Sequence, residues 1–253
     1  MQIRFLGTGT STGVPEVGCR CQVCMSRDKR DQRLRASAIV RTHGKNILID
    51  CGPDFRYQML QTAYEPIEGV LLTHEHYDHV GGIDDLRPFC RFGDIEIYAE
   101  DYVADAIMRR IPYCFTEFKY PGIPSLILNR IQNKPFFLGN IEITPIRVMH
   151  SKLPIFGYRI GRMAYLTDLK TLPDEELSKL KDLDVLIINA LRIEEHLSHQ
   201  NVAQALVLAE QIGARQTYFI HMSHHFGLHA DMEKKMPTGV FIAYDGLEIE
   251  LED

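Results

Sequence analysis

Thr73-His74-Glu75-His76-Tyr77-Asp78-His79 is the densest chemistry in the chain. It follows a short apolar run, Gly69-Val70-Leu71-Leu72, and leads into Val80-Gly81-Gly82, a tight exit. Alternate residues of an extended segment share a face, so a strand end sets His74 and His76 on one side. A turn into a helix then swings Asp78 and His79 toward a second centre nearby. Imidazole and carboxylate are the ligands of Zn²⁺ and similar divalent ions. A polar loop that happens to hold histidines is the plain alternative. It accounts for a lone imidazole better than for three imidazoles and a carboxylate crowded behind one apolar strand.

Outward from this stretch, β-rich runs recur at residues 3–6, 38–41, 46–50, 69–73, 95–98, 141–148, 157–160, 163–167, 185–189, 217–221 and 240–243. Several are near-continuous Val/Ile/Leu, as in strands covered on both faces. Helical patterns fall at residues 55–62, 101–110, 174–180 and 200–212. In the last, Val202, Leu206, Ala209 and Ile212 are expected on one face. Asp174-Glu175-Glu176 after Pro173 puts acid in a first helical turn, where it complements the helix dipole. Hairpins come first, then mixed strand and helix, then the same again. The expectation is a layered α/β fold in two similar halves, forming one domain over residues 1–253.

With 253 residues, 45% apolar and 25% charged, the chain reads as an ordinary globular protein. Its net charge of -6 argues against an extended nucleic-acid surface, yet leaves room for a small phosphorylated substrate that needs only a few local cations. Met1-Gln2-Ile3-Arg4-Phe5-Leu6-Gly7 lacks the pattern of a signal peptide, and no apolar stretch is long enough to cross a bilayer. A cytoplasmic protein with no membrane partner is expected, and its six cysteines are then thiols or metal ligands.

The H-x-H-x-D-H string of His74, His76, Asp78 and His79 resembles the signature of the metallo-β-lactamase superfamily, whose fold is a four-layer αβ/βα sandwich. The resemblance implies further ligands at later strand ends, and His150, Asp168 and His221 stand in the expected order. On that pattern His74, His76 and His150 hold one divalent ion, Asp78, His79 and His221 hold the other, and Asp168 bridges them. Zn²⁺ and Mn²⁺ both suit such ligands. Water shared by two cations becomes a nucleophile near neutral pH, and the ions offset charge building on a phosphoryl oxygen. Asp78 is therefore expected to serve catalysis as well as binding.

Cys19-Arg20-Cys21-Gln22-Val23-Cys24 is a close thiol cluster of the kind that favours Zn²⁺, and a closed site needs a fourth ligand. Within the superfamily, an early C-x-C-x-x-C is similar to the cyclic phosphodiesterases of the carbon–phosphorus lyase pathway, which act on a phosphoribosyl 1,2-cyclic phosphate. A related pattern occurs in the pyrroloquinoline-quinone biosynthesis protein B group. Gly7-Thr8-Gly9, Gly13-Val14-Pro15, His150-Ser151-Lys152-Leu153, Phe156-Gly157-Tyr158, His221-Met222-Ser223-His224 and Tyr244-Asp245-Gly246 carry the phosphodiesterase resemblance over most of the chain. It implies that His224 completes a structural zinc site with Cys19, Cys21 and Cys24, and that the protein is a homodimer.

Cleavage of a phosphodiester also needs a proton for the leaving alkoxide, usually from histidine. His196 and His199 precede the helix at 200–212. His199 matches the offset of the family's catalytic histidine before H-x-S-H and is the expected acid. Gly7-Thr8-Gly9-Thr10-Ser11-Thr12-Gly13 is either a phosphate cradle or simply a tight turn. Arg33, Arg35, Arg56, Arg87, Arg91 and Lys152 are available cations, with Lys152 best placed by sequence. Leu169 stands where relatives often carry a hydroxyl, and the stretch 99–136, including Cys114 and Tyr120-Pro121-Gly122, is a candidate lid or partner surface. A transfer-RNA 3′-processing endonuclease, a pyrroloquinoline-quinone B-like protein, and a β-lactamase or thioesterase are the competing readings.

Overall fold

A computed structural model describes residues 1–116 and 122–251. Among them, fourteen strands form two seven-stranded sheets. The first half supplies β1 (Gln2–Gly7), β2 (Ser37–Thr42), β3 (Lys45–Ile49), β4 (Gly69–Leu71), β5 (Ile95–Glu100) and β6 (Leu126–Ile131). The second supplies β7 (Phe136–Leu138), β8 (Ile141–His150), β9 (Leu153–Ile160), β10 (Met163–Leu166), β11 (Val185–Asn189), β12 (Gln216–Ile220) and β13 (Val240–Ile242). The final strand, β14 (Glu248–Glu250), returns to pair antiparallel with β1.

The two halves repeat one plan. Strands β1 to β3 pair antiparallel and β3 to β6 parallel. Strands β7 to β10 pair antiparallel and β10 to β13 parallel. Alternating side chains separate the layers. Ile47, Ile49, Tyr165 and Ile187 face the core between the sheets. Leu48 faces α3 (Asp101–Arg110), through Val103, Ala104 and Ile107, on the outside of the first sheet. Leu186 and Ile188 face α4 (Val202–Ile212) on the outside of the second. This is the four-layer sandwich that the histidine motif implied.

Helix boundaries differ from the periodicity in informative ways. Asn201 caps α4 by accepting from the Gln204 N–H, and the Gln204 side chain accepts from the Asn201 N–H, so the helix starts after residue 201. Its buried face is Val202, Ala205, Leu208 and Ala209, with Leu206 and Ile212 only partly covered at its flank. Helix α1 is shorter than expected (Phe55–Met59). Residues Asp174–Leu180 wind as a tighter 3-10 turn that points Glu176 inward, where it accepts from Asn133 and the Arg147 N–H. Much of the stretch 99–136 is α3 and β6, which complete the first sheet, so an inserted lid is not its main role. Tyr120 and Pro121 lie outside the described residues.

The sheets are latched together at one end. The Tyr158 hydroxyl on β9 donates to the Leu72 carbonyl at 2.6 Å, and the Phe156 N–H donates to the Thr73 carbonyl at 3.1 Å. Both bonds reach across to the segment that immediately precedes His74.

Candidate metal centre

The parallel strands of both sheets end at this latch. Asp50 follows β3, His74 follows β4, His150 closes β8, Asp168 follows β10 and His221 follows β12. Asp50, Asp168 and His221 have φ of 59°, 54° and 57°, a left-handed backbone that non-glycine residues seldom adopt. That turn breaks each strand and directs its side chain into the gap between the sheets. Helix α2 (Tyr77–Val80) begins directly after His76 and puts Asp78 and His79 in its single turn.

Two groups of ligand-type atoms result. Asp78, His79, Asp168 and His221 converge with one donor atom each inside 4.8 Å of the others, and so do His150, Asp168 and His199. Asp168 belongs to both. Its Oδ2 lies 3.1 Å from His79 Nε2 and 3.3 Å from His221 Nε2, while its Oδ1 lies 3.6 Å from His199 Nδ1. His74, His76 and His150 form a looser triangle, with ring centroids 4.5, 5.2 and 5.8 Å apart, and His76 stands at the open side. The expected His74–His76–His150 set is therefore close, and two further rings crowd it: His79, 4.3 Å from His74, and His199, 4.7 Å from His150 between ring centroids.

Hydrogen bonds behind the rings fix their orientation. His79 Nδ1 donates to Asp50 at 2.7 Å. His74 Nδ1 donates to the Thr73 hydroxyl, which in turn donates to Asp50. His150 Nδ1 donates to the Asp168 carbonyl at 2.8 Å. In the neutral ring each bond makes Nε2 the nitrogen with the free lone pair, as a metal ligand requires. The Nε2 atoms of His74, His79 and His221 are buried without a hydrogen-bond partner among the described residues, although carboxylate oxygens stand beside two of them. Lone pairs converging with carboxylates in a buried gap fit divalent cations.

Electrostatics agree. Burial pushes His74 well below the usual histidine value, with His79 adding, so its lone pair stays free. Burial also acts against charge on His79, but Asp78, Asp168 and Asp50 outweigh it and leave the imidazole well above its ordinary value. Burial would raise Asp168, yet His221 and His79 hold it well below the carboxylate range. The gap thus draws positive charge strongly.

The second cluster forms as the sequence suggested. His224 Nδ1 lies 3.1, 3.8 and 3.3 Å from the sulfurs of Cys19, Cys21 and Cys24. His224 Nε2 faces Glu16 at 3.3 Å. Burial, with Cys19 and Cys21 adding, pushes the Cys24 thiol up to about 12, so the three thiols cannot all ionise without a cation among them.

Other expected site residues are used differently. In the Gly7–Gly13 loop, Gly9 N–H donates to Leu34, Thr10 N–H to Met222 and Gly13 N–H to Thr10, so these three amides serve the turn itself. A Cβ on Gly7 would come within 2.0 Å of the Arg35 carbonyl, so close chain approach explains the glycine. Arg33 is buried, donating to Thr8 and the Ala243 carbonyl and facing His229, so it does not offer its charge to a substrate. Arg35 pairs with Asp54, Arg87 pairs with Asp84, and Lys152 is exposed in the β8–β9 turn. Leu169 is core, and Thr167 supplies the hydroxyl to Asp168 at 2.7 Å instead. Asp50, Glu16 and Asn189 were not singled out from sequence. An acid closing the apolar run at 46–50 was the available signal for Asp50.

Residues 45–222 match the family model described as a beta-lactamase superfamily domain, and the chain belongs to that superfamily. Within it, this is a PhnP-like, metal-dependent hydrolase. A crystal structure of a diphosphatase from the PhnP family is 36% identical, with a TM-score of 0.93 over 99% of this chain and 98% of that one. An octanoyltransferase of Porphyromonas gingivalis is 47% identical over the whole of this chain, which spans only 52% of that protein's length. Zn²⁺-bound PqqB from Methylobacterium extorquens, at 19% identity and a TM-score of 0.78 over 99% of this chain and all of that one, shares the fold. Among the described residues, no helix is long and apolar enough to cross a membrane.

Proposed function

We propose that this protein hydrolyses a small phosphodiester, with a ribosyl cyclic phosphate as the favoured substrate. In this reading His74, His76 and His150 hold one divalent ion, Asp78, His79 and His221 hold a second, and Asp168 lies between them. The carrying observation is Asp168, whose Oδ2 faces His79 and His221 while its Oδ1 turns the other way, toward His199 beside His150. Zn²⁺ or Mn²⁺ bound there would supply Lewis acidity and an activated water. Cys19, Cys21, Cys24 and His224 hold a structural Zn²⁺.

His199 is the proton donor to the leaving oxygen. It is buried between the two groups, with its ring 4.7 Å from His150 and 5.0 Å from His221. Burial lowers it to about 3, with Asp168 pulling the other way, and the negative charge of a bound phosphodiester raises it toward the range in which it donates. His196 lies at the partly exposed rim, its ring 5.2 Å from that of His199.

A diphosphate ester is the second reading, favoured by the 36% identical diphosphatase. In this reading octanoyl transfer belongs to the half of the Porphyromonas gingivalis relative that this chain does not span. Among the described residues no accessible thiol stands with the clustered imidazoles: Cys51 is fully buried and Cys19, Cys21 and Cys24 gather around His224. A cytoplasmic homodimer acting on a free metabolite completes the reading.

The test is turnover at controlled Zn²⁺ or Mn²⁺ on 5-phosphoribosyl 1,2-cyclic phosphate, 2′,3′-cyclic nucleotides, a nucleoside diphosphate ester, an aryl phosphodiester and precursor transfer RNA. Preference for the ribosyl cyclic phosphate is expected. Faster turnover of the diphosphate ester would move the chain to the second reading, and cleavage of transfer RNA alone would overturn both.

A further inference from the structure

Lys170 is a half-buried lysine that forms no ion pair among the described residues. Its ammonium donates instead to the His196 carbonyl at 2.7 Å, the His199 carbonyl at 3.3 Å and the Gln204 side-chain oxygen at 3.1 Å. Gln204 is the capping residue in the first turn of α4. A cation beside a helix N-terminus opposes the helix dipole, so stabilising α4 does not explain this lysine.

The main chain of Lys170 reaches the rest of the site. Its N–H donates to the carbonyl of Met149, next to His150, at 2.8 Å. Its neighbour Leu169 is held at both ends by the Asn189 side chain, and the Leu169 carbonyl accepts from the Gln200 N–H. Lys170 therefore joins three segments, those carrying His150, Asp168 and His199. The His199 ring needs such support, because its buried Nδ1 has no hydrogen-bond partner among the described residues. Two residues before it, Leu197 is 90% exposed and gives the ring no packing from that side chain.

We propose that Lys170 is a positioning residue, whose ammonium clamps the His196–His199 backbone and so holds the His199 imidazole where the leaving oxygen departs. This rests on His199 being the proton donor. Removing the clamp leaves both ion groups intact and lets the ring drift, and a displacement near 1 Å costs on the order of 100-fold in rate.

The experiment compares Lys170→Met, Lys170→Arg, His199→Ala and the Lys170→Met/His199→Ala double variant, metal-loaded, on two diesters. One has an alkyl leaving group that needs a proton, and the other has 4-nitrophenolate, which does not. Lys170→Met is expected to lose roughly 10- to 100-fold in kcat on the alkyl ester, with KM and metal content unchanged. It should lose little on the nitrophenyl ester, and add nothing to the loss from His199→Ala. Lys170→Arg should recover most of the rate. Equal losses on both esters, additive losses in the double variant, or loss of metal would overturn the clamp. A His199→Ala enzyme equally impaired on both esters would remove the proton-donor reading and the clamp with it. If Lys170→Met fails to fold, Lys170→Gln, which removes the ammonium and shortens the side chain, carries the same comparison.

Discussion

Asp50 bears the most constrained side chain at the centre, accepting from His79, the Thr73 N–H and the Thr73 hydroxyl while fully buried. Asp50→Asn keeps the shape and removes the charge, so metal affinity should fall about 10- to 100-fold, read by competition with a chelator. Asp168→Ala should empty the centre while leaving the zinc of the cysteine cluster in place. An unchanged metal count would contradict the shared role given to Asp168. His74, His76, Asp78 and His79 were legible because they crowd one short string. Asp50 was not, since its partners lie more than twenty residues away in sequence and its direction comes from a backbone angle that composition does not report. His229, away from the centre, sets a pH response. Burial, then Arg33 and Arg30, lower it to about 4. Between pH 6.5 and 4 the unfolded chain takes up a proton that the folded one refuses, so stability is intact above 6.5 and declines as pH falls. Melting temperature followed over that interval should show the decline, and His229→Gln should lack its share of the slope.

At the scale of elements, long and strongly patterned segments were readable and short ones were not. The parallel strand β11 opens with the apolar run Val-Leu-Ile-Ile, and α3 falls where its periodicity placed it. The edge strands β6 and β7 have no signal in the residue pattern, because Leu-Ile-Leu-Asn-Arg-Ile and Phe-Phe-Leu acquire strand character only from a neighbour. The cap of α4 is worth about 1 kcal/mol, so Asn201→Ala should lower stability by that amount and loosen the loop bearing His199. The cysteine loop depends on its cluster in the same way. Cys21→Ser should lower the melting temperature and remove one zinc per chain; an unaltered zinc count would refute the structural site.

For the molecule as a whole, the centre lies in the seam between two similar halves, and neither half holds it alone. His74, Asp78 and His79 come from the first; His150, Asp168, His199 and His221 come from the second. The Tyr158 hydroxyl closes that seam, and Tyr158→Phe strands the buried Leu72 carbonyl. A loss of about 1–3 kcal/mol is expected, measurable by denaturant unfolding.

The pairing of β1 with β14 has a consequence for connectivity. Gln2 stands opposite Glu250, and the Met1 amino group donates to the Leu251 carbonyl at 3.0 Å. Residues 1 and 251 thus lie side by side. A short peptide could join residue 251 to residue 1, and a new opening at residues 132–135 would let the second half be synthesised before the first. Every strand would keep its neighbours, so the pairing of residues 1–251 does not depend on which half comes first along the thread.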